Sequence, residues 1–177
     1  GPIISQRQRD RIRHHIENAV ANGATLEIGG QWEGNRCLPT ILTNVNPSMV
    51  CYQEETFGPV TAVYKVGSAD AALAIANDTA YGLSAAVFTQ NLAEAMRLSQ
   101  QIHAGMVHIN APTLHDEPHV PFGGVGDSGM GHYHGHEGFE TFSKMRPVFY
   151  QTRLSSMRFL WPPYGKFADR LLAFLTR

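Results

Sequence analysis

The stretch SAAVFTQNLAEAMRLSQQIHAGMVHIN, residues 84–110, decides the fold. Its opening run, Ser84 to Thr89, reads as a strand. Asn91 then starts a helix on which Leu92, Met96 and Ile102 share one side, and Gly105 stops it. MVHIN, 106–110, returns as a strand. The same alternation of strand and helix runs through the preceding residues, which predicts an α/β fold with a mainly parallel sheet and flanking helices.

Toward the N-terminus, 5–24 reads as a helix. Ser5 and Gln8 fit a capping box, Ile12, Ile16 and Val20 recur every four residues, and Gly23 supplies the stop. Strands are expected at 25–30, closed by a Gly-Gly turn, at 39–45, rich in β-branched residues, and at 61–66. Ser68 caps a second helix. From Ala111 to Gly138, Pro, Gly and His dominate and a loop is expected. A short helix at 137–144 and a strand at 147–152 follow. Beyond a Pro-Pro break, the tail forms an amphipathic helix with Phe167, Leu171 and Leu175 on one face.

A length of 177 residues suffices for one domain with a real core. The formal net charge of -1 argues against a nucleic-acid binder, which carries a basic stripe. Apolar runs are too short to span a bilayer or to form a secretory signal. Cys37 and Cys51 are too few for a disulfide framework and form no CxxC pair, so a reducing, cytoplasmic setting is expected. Gly1-Pro2 opens the chain without Met, as a cloning scar or an interior start would.

Four motifs now fall in one order: QEETFGPV at 53–60, ANDTAYGLSAAVFT at 76–89, AGMVHIN at 104–110 and PFGGVGDSGMG at 121–131. Together they resemble the EE-x-FGP, YGL-x-A-x-V-[FY]-T, AG-x-V-x-[IV]-N and PFGG-x-x-x-SG-x-G segments of the NAD(P)-dependent aldehyde dehydrogenases. Even Gly1-PIIS is similar to that family's GP-[LI]-IS. HDEPHVPFGG, 115–124, resembles the aromatic (benzaldehyde-, salicylaldehyde- and vanillin-type) dehydrogenases. The segment 131–151 and the PPYGK-x-x-DRLL tail resemble the coniferyl- and fatty-aldehyde branch.

The resemblance implies oxidation of an aldehyde, aromatic or long-chain, to the acid. A cysteine thiolate adds to the carbonyl, hydride leaves to NAD or NADP, and a glutamate activates the water that hydrolyses the thioester. The family's nucleophile lies in a GQ-x-C segment and its base in an ELGG segment, and neither occurs here. The chain therefore reads as the carboxyl-terminal part of the catalytic domain, inactive alone, with no catalytic residue of its own. Residues 1–145 form the catalytic-domain segment, and 146–177 an assembly strand and tail. The resemblance further implies that Glu55 binds the nicotinamide ribose, since a carboxylate accepts from both hydroxyls. Phe57 packs beside the nicotinamide, and Leu114 and Phe122 line the substrate funnel. Asn110 holds its loop or approaches substrate. His115 and Asp116 tune the pocket or belong to a solvated loop. The exposed edge of 147–152 implies a homo-oligomer.

Two rival functions remain: an inactive module that pairs through this edge strand, and a metal-binding protein built on His132-Tyr-His-Gly-His136. Alternation on a strand would point the three imidazoles one way. The resemblance instead implies a glycine-rich turn entering a helix, which Gly129, Gly131, Gly135 and Gly138 fit and which leaves no strand, and no ligand set of known zinc type is present. Neither cysteine sits in a GQ-x-C context or has a His nearby in sequence, so both are expected to be packing residues. Gly123, Gly124 and Gly126 lack the GK-[ST] of a phosphate loop and predict a turn that lets backbones pass closely.

Overall fold

The computed structural model describes residues 1–115, 117–150 and 165–176. Ser5 begins the fold: its hydroxyl accepts from Gln8 N at 3.2 Å, and α1 follows over Gln6–Ala21. The reciprocal half of the expected capping box is replaced. The Gln8 side-chain amide reaches 48 residues along the chain to the carbonyl of Thr56. The buried face of α1 is Ile12, His15, Ile16 and Ala19, and the expected row through Val20 does not hold, since Val20 is 44% exposed. An α-helix turns about 100° per residue, so a residue eight positions on has rotated about 80° off the starting face. Gly23 ends the helix at φ +102, the left-handed geometry of a C-terminal stop.

β1 (Thr25–Ile28) leads into a hairpin absent from the sequence-based expectation, β2 (Trp32–Glu33) and β3 (Arg36–Cys37). The guanidinium of Arg13 lies 5.1 Å from the centre of the Trp32 ring, tying this hairpin to α1. β4 (Thr40–Thr43) follows, then the short helix α2 (Val50–Gln53) and β5 (Val60–Ala62). The three strands form one sheet in the order β1-β4-β5. Two clusters pack beneath it: Ala19, Ala24, Leu42, Val45 and Met49 in one, Ile12, Ile16 and Cys37 in the other. Cys37 is buried there and Cys51 is half-buried, its thiol pushed up by burial; neither has the surroundings of an activated nucleophile.

α3 (Ala69–Asn77) is capped by Ser68, whose hydroxyl accepts from Ala71 N at 3.1 Å. Ser68→Ala is expected to cost about 1 kcal/mol in urea unfolding, the usual worth of such a cap. β6 (Tyr81–Gly82) and β7 (Ser84–Val87) precede α4 (Leu92–Gln101) and β8 (Met106–Ile109). β7 and β8 pair in parallel from Ser84↔Met106 to Val87↔Ile109, so the strand–helix–strand reading of 84–110 holds. The side of α4 differs from expectation: Leu92 is 68% and Met96 47% exposed, while Ala95 is fully buried. A methyl side chain there brings the helix axis close to its two strands.

The chain is α/β, as expected, and its pairing is mixed. β4–β5 and β7–β8 are parallel, but β1–β4 is antiparallel, as is β6 with β9 (Val125–Gly126). A parallel pair needs a crossover, usually helical; β1 and β4 are joined instead by the β2–β3 ribbon. α5 (Gly135–Thr141) closes the first of two compact units, Gly1–Phe142 and Ser143–Arg177. In the second unit, residues 147–150 carry no strand in this single chain. Gln151 and Thr152, and the Pro-Pro break, lie outside the described residues. α6 (Lys166–Leu175) forms as expected with Ala168 as its buried residue; Phe167 and Leu175 are 67% and 70% exposed. Among the described residues no helix is long and apolar enough to cross a membrane.

Candidate functional site

The segment between α2 and β5 carries Glu55 and Phe57, and it is under local strain. Phe57 sits at φ +49, a conformation that costs a side-chain-bearing residue about 1–3 kcal/mol and persists only where surrounding contacts over-determine it. Those contacts come from one face of α1. Gln8 Nε2 donates to the carbonyls of Thr56 and Phe57 at 2.7 and 2.9 Å. His15 Nδ1 lies 3.0 Å from Thr56 Oγ1. Ile12 fills the space under Gly58 so closely that a Cβ there would meet its Cδ1 at 2.5 Å. On the far side, Thr40 N donates to the Pro59 carbonyl at 2.8 Å. The result is a pinned backbone on which Phe57 is 75% exposed and Glu55, two residues before it, is exposed as well.

Glu54 behaves differently from its neighbour, as a structural acid: its Oε2 receives Arg11 at 3.2 Å and lies 3.7 Å from His15 Nε2. Burial, and then the Arg11 guanidinium, push the His15 imidazole below its ordinary range, with Glu54 acting in opposition. The ring is therefore held neutral near pH 7.

Glu55 also borders a cavity of about 270 Å³ whose wall includes Gly82, Leu83, Ser84, His103 and Ser128. Ser128 Oγ accepts from Gly82 N at 3.0 Å, so the YGL segment and the glycine-rich loop meet beside Glu55. Ser84 Oγ is buried with no hydrogen-bond partner among the described residues. Sequence reading quoted Leu83, Ser84 and Ser128 within motifs and assigned them no role. Only the position of a motif signalled them, because nothing in residue type marks an apolar side chain and two hydroxyls as site lining.

The residues expected on the substrate side do not border that cavity. Leu114 projects from its loop, 92% exposed, and Phe122 is half-buried against Tyr133, ring centres 4.9 Å apart; neither lines the cavity that holds Glu55. Asn110 takes the strand-end role: at φ +54 its side chain donates to Thr89 O at 3.0 Å and accepts from Thr89 N at 2.9 Å. His115, 60% exposed, lies 3.3 Å from Glu117, and Asp116 is outside the described residues. His108, His115, Glu117 and His132 border a separate cavity of about 470 Å³ with Val120 and Pro121.

The histidine segment is a turn into a helix. Tyr133 exchanges both backbone hydrogen bonds with Phe122 in a single bridge, and α5 begins at Gly135. His134 rests edge-on to the Tyr133 ring, and His136 pairs with Glu140 one turn on at 3.1 Å. Among the described residues no three His, Cys, Asp or Glu side chains are grouped to hold a metal ion. Gly123 and Gly124 are buried, and the backbone of Gly105 passes against them, the close approach expected of that loop.

The chain is similar in sequence and in fold to known proteins. A profile described as "Aldehyde dehydrogenase family" matches residues 1–148. The chain is similar to a vanillin dehydrogenase of Pseudomonas fluorescens, 44% identical over 151 residues, covering 85% of this chain and 31% of that protein. It is 41% identical over 172 residues to a probable coniferyl aldehyde dehydrogenase of Pseudomonas aeruginosa, covering 96% of this chain and 36% of the relative. The crystal structure of a Mycobacterium tuberculosis aldehyde dehydrogenase complexed with NAD+ superposes with a TM-score of 0.77 at 37% identity, over 86% of this chain and 33% of that one. The chain thus spans about a third of the length of the curated relatives it matches.

Proposed function

Since the chain belongs to the aldehyde dehydrogenase family, we propose that it is the carboxyl-terminal part of the catalytic domain of an enzyme that oxidises an aldehyde to a carboxylic acid with NAD or NADP. The substrate is aromatic or long-chain. Aromatic aldehydes are favoured by the likeness to proteins named vanillin and coniferyl aldehyde dehydrogenase. The nucleophilic cysteine and the general base come from GQ-x-C and ELGG segments of the parent protein. In this reading residues 1–145 are the catalytic-domain segment, and 146–177 carry the assembly strand and tail of a cytoplasmic homo-oligomer.

The carrying observation is the pinned turn at 55–57, which exposes both Glu55 and Phe57, two residues apart. These groups suit a nicotinamide nucleotide. Glu55 accepts from both hydroxyls of the ribose, fixing its pucker and position, and Phe57 lies beside the nicotinamide to limit its swing and exclude water. The cofactor, when bound, supplies the hydride acceptor. Leu114 and Phe122 give the aldehyde an apolar wall with few polar groups, as a hydrophobic substrate requires.

The test is aldehyde-dependent reduction of NAD(P)+ by the parent protein. Replacing a charge-assisted acceptor by a neutral one costs about 1.5–3 kcal/mol, so Glu55→Gln is expected to raise the KM for cofactor about ten- to a hundredfold. The KM for aldehyde is expected to stay close to wild type. An unchanged cofactor KM would remove Glu55 from the site. A parent protein that oxidises no aldehyde would overturn the whole reading.

A further inference from the structure

Gln8, Ile12 and His15 stand at i, i+4 and i+7 on α1 and meet one short target. Gln8 holds two carbonyls, those of Thr56 and Phe57; Ile12 fills the space under Gly58; His15 meets the hydroxyl of Thr56. Burying an imidazole at 1% exposure is unfavourable unless its nitrogens are satisfied, and the Thr56 hydroxyl is the partner within hydrogen-bond distance. Thr56 lies between Glu55 and Phe57, so a side chain held by His15 and carbonyls held by Gln8 together restrain the backbone on either side.

We propose that His15 and Gln8 are positioning residues: they hold Phe57 in its left-handed conformation and thereby aim the Glu55 carboxylate and the Phe57 ring at the cofactor. The aiming role rests on the cofactor-facing reading of 55–57; the mechanical link between His15 and that segment stands by itself. His15 touches no cofactor and acts through Thr56.

The link is sensitive to protons. The charged groups around the ring are Arg11 and His14 on its own helix and Glu54 on the segment opposite. Burial and Arg11 hold the folded-state pKa below the ordinary value of 6.5. The unfolded chain therefore takes up a proton first as pH falls. The stability that the neutral ring contributes is fully present above about 6.5 and is lost as pH drops from there through the folded-state pKa. Protonation makes both ring nitrogens donors, which obliges Thr56 Oγ1 to accept and draws Glu54 toward Nε2.

NMR on the 177-residue chain tests the link without any activity. In wild type, the amide signals of Glu55, Thr56 and Phe57 are expected to move with the His15 ring signals, with a shared midpoint below 6.5. In Thr56→Val the ring still titrates and the Phe57 amide no longer follows. His15→Asn, whose side-chain amide replaces Nδ1, keeps the wild-type positions of the three amides at pH 7, while His15→Leu shifts them. If Phe57 follows the ring equally well in Thr56→Val, or if Asn and Leu variants have identical 55–57 amides, the proposal fails. Thr56→Val decides the matter alone should His15→Leu not fold. In the parent enzyme, losing one neutral hydrogen bond through His15→Leu is expected to raise the cofactor KM about two- to tenfold, with rescue by Asn and little change in kcat. A confirmed NMR link with no change in cofactor KM for Glu55→Gln would overturn the aiming role and the cofactor reading, and leave the mechanical one intact.

Discussion

Gly105→Ala is expected to destabilise the chain by about 3 kcal/mol, at the upper end of the range for overpacking. A Cβ at this position would meet Gly123 O at 2.0 Å, Gly123 C at 2.8 Å and Gly124 Cα at 2.9 Å. All three are backbone atoms, so no rotamer change relieves the clash. Either the backbone entering β8 or the glycine-rich loop must move, and Gly105 N donates to Gly82 O at 2.9 Å, so moving Gly105 also disturbs β6. Gly67→Ala is the control. Nothing lies within 4 Å of a Cβ there, and a change within about 0.5 kcal/mol is expected, as for other substitutions that touch no feature. Urea unfolding monitored by circular dichroism compares the two. Equal midpoints for both variants would mean that the loop and β8 do not pass each other as closely as described.

Ile12→Ala is expected to cost about 3 kcal/mol, within the 2–5 kcal/mol that follows truncation of a fully buried Ile. Ile12 has no exposed surface, packs with Ile16 and Cys37, and supports Gly58 from below. The loss therefore has two readouts: a lower unfolding midpoint, and altered amide signals at 56–58, where the cavity removes the floor of the turn. Val20→Ala, at the position where a four-residue period would continue the stripe, is expected to change stability by less than about 0.5 kcal/mol because its side chain is already 44% in solvent. Similar costs for the two substitutions would place the core on the wrong face of α1.

These two sites show which kinds of information were legible in the chain. Caps were legible, because they depend on a hydroxyl or amide three residues from the N–H it serves: Ser5, Ser68 and Asn91 each accept from the residue three ahead. The β7–α4–β8 unit was legible for the same local reason. The side of a helix that packs was less so. Val20 and Met96 are apolar and periodic, yet the chain folds with Ala19 and Ala95 inward, since closeness of approach to the sheet can outweigh side-chain size. The β2–β3 hairpin was missed because two-residue strands carry too few side chains for a period to appear. At the candidate site, Glu55 and Phe57 were found only through a likeness of motifs. Gln8 was found and given the wrong task, as a cap partner.

The sequence by itself determined where α1, α3 and α4 begin, that the chain is α/β, and to which family it belongs; it did not fix where α4 stops, at Gln101 and not at Gly105. Each of these is written in residue types at short spacing or in ordered motifs. Only the tertiary structure decided which face of α1 is buried, that the pairing is mixed, and that Gln8, Ile12 and His15 converge on residues 56–58. Those contacts join positions more than 40 residues apart, and a donor has no local signature that says which distant carbonyl it will meet. A left-handed Phe57 has no signature at all in the residue itself; it exists because the bonds that hold it arrive from elsewhere in the fold.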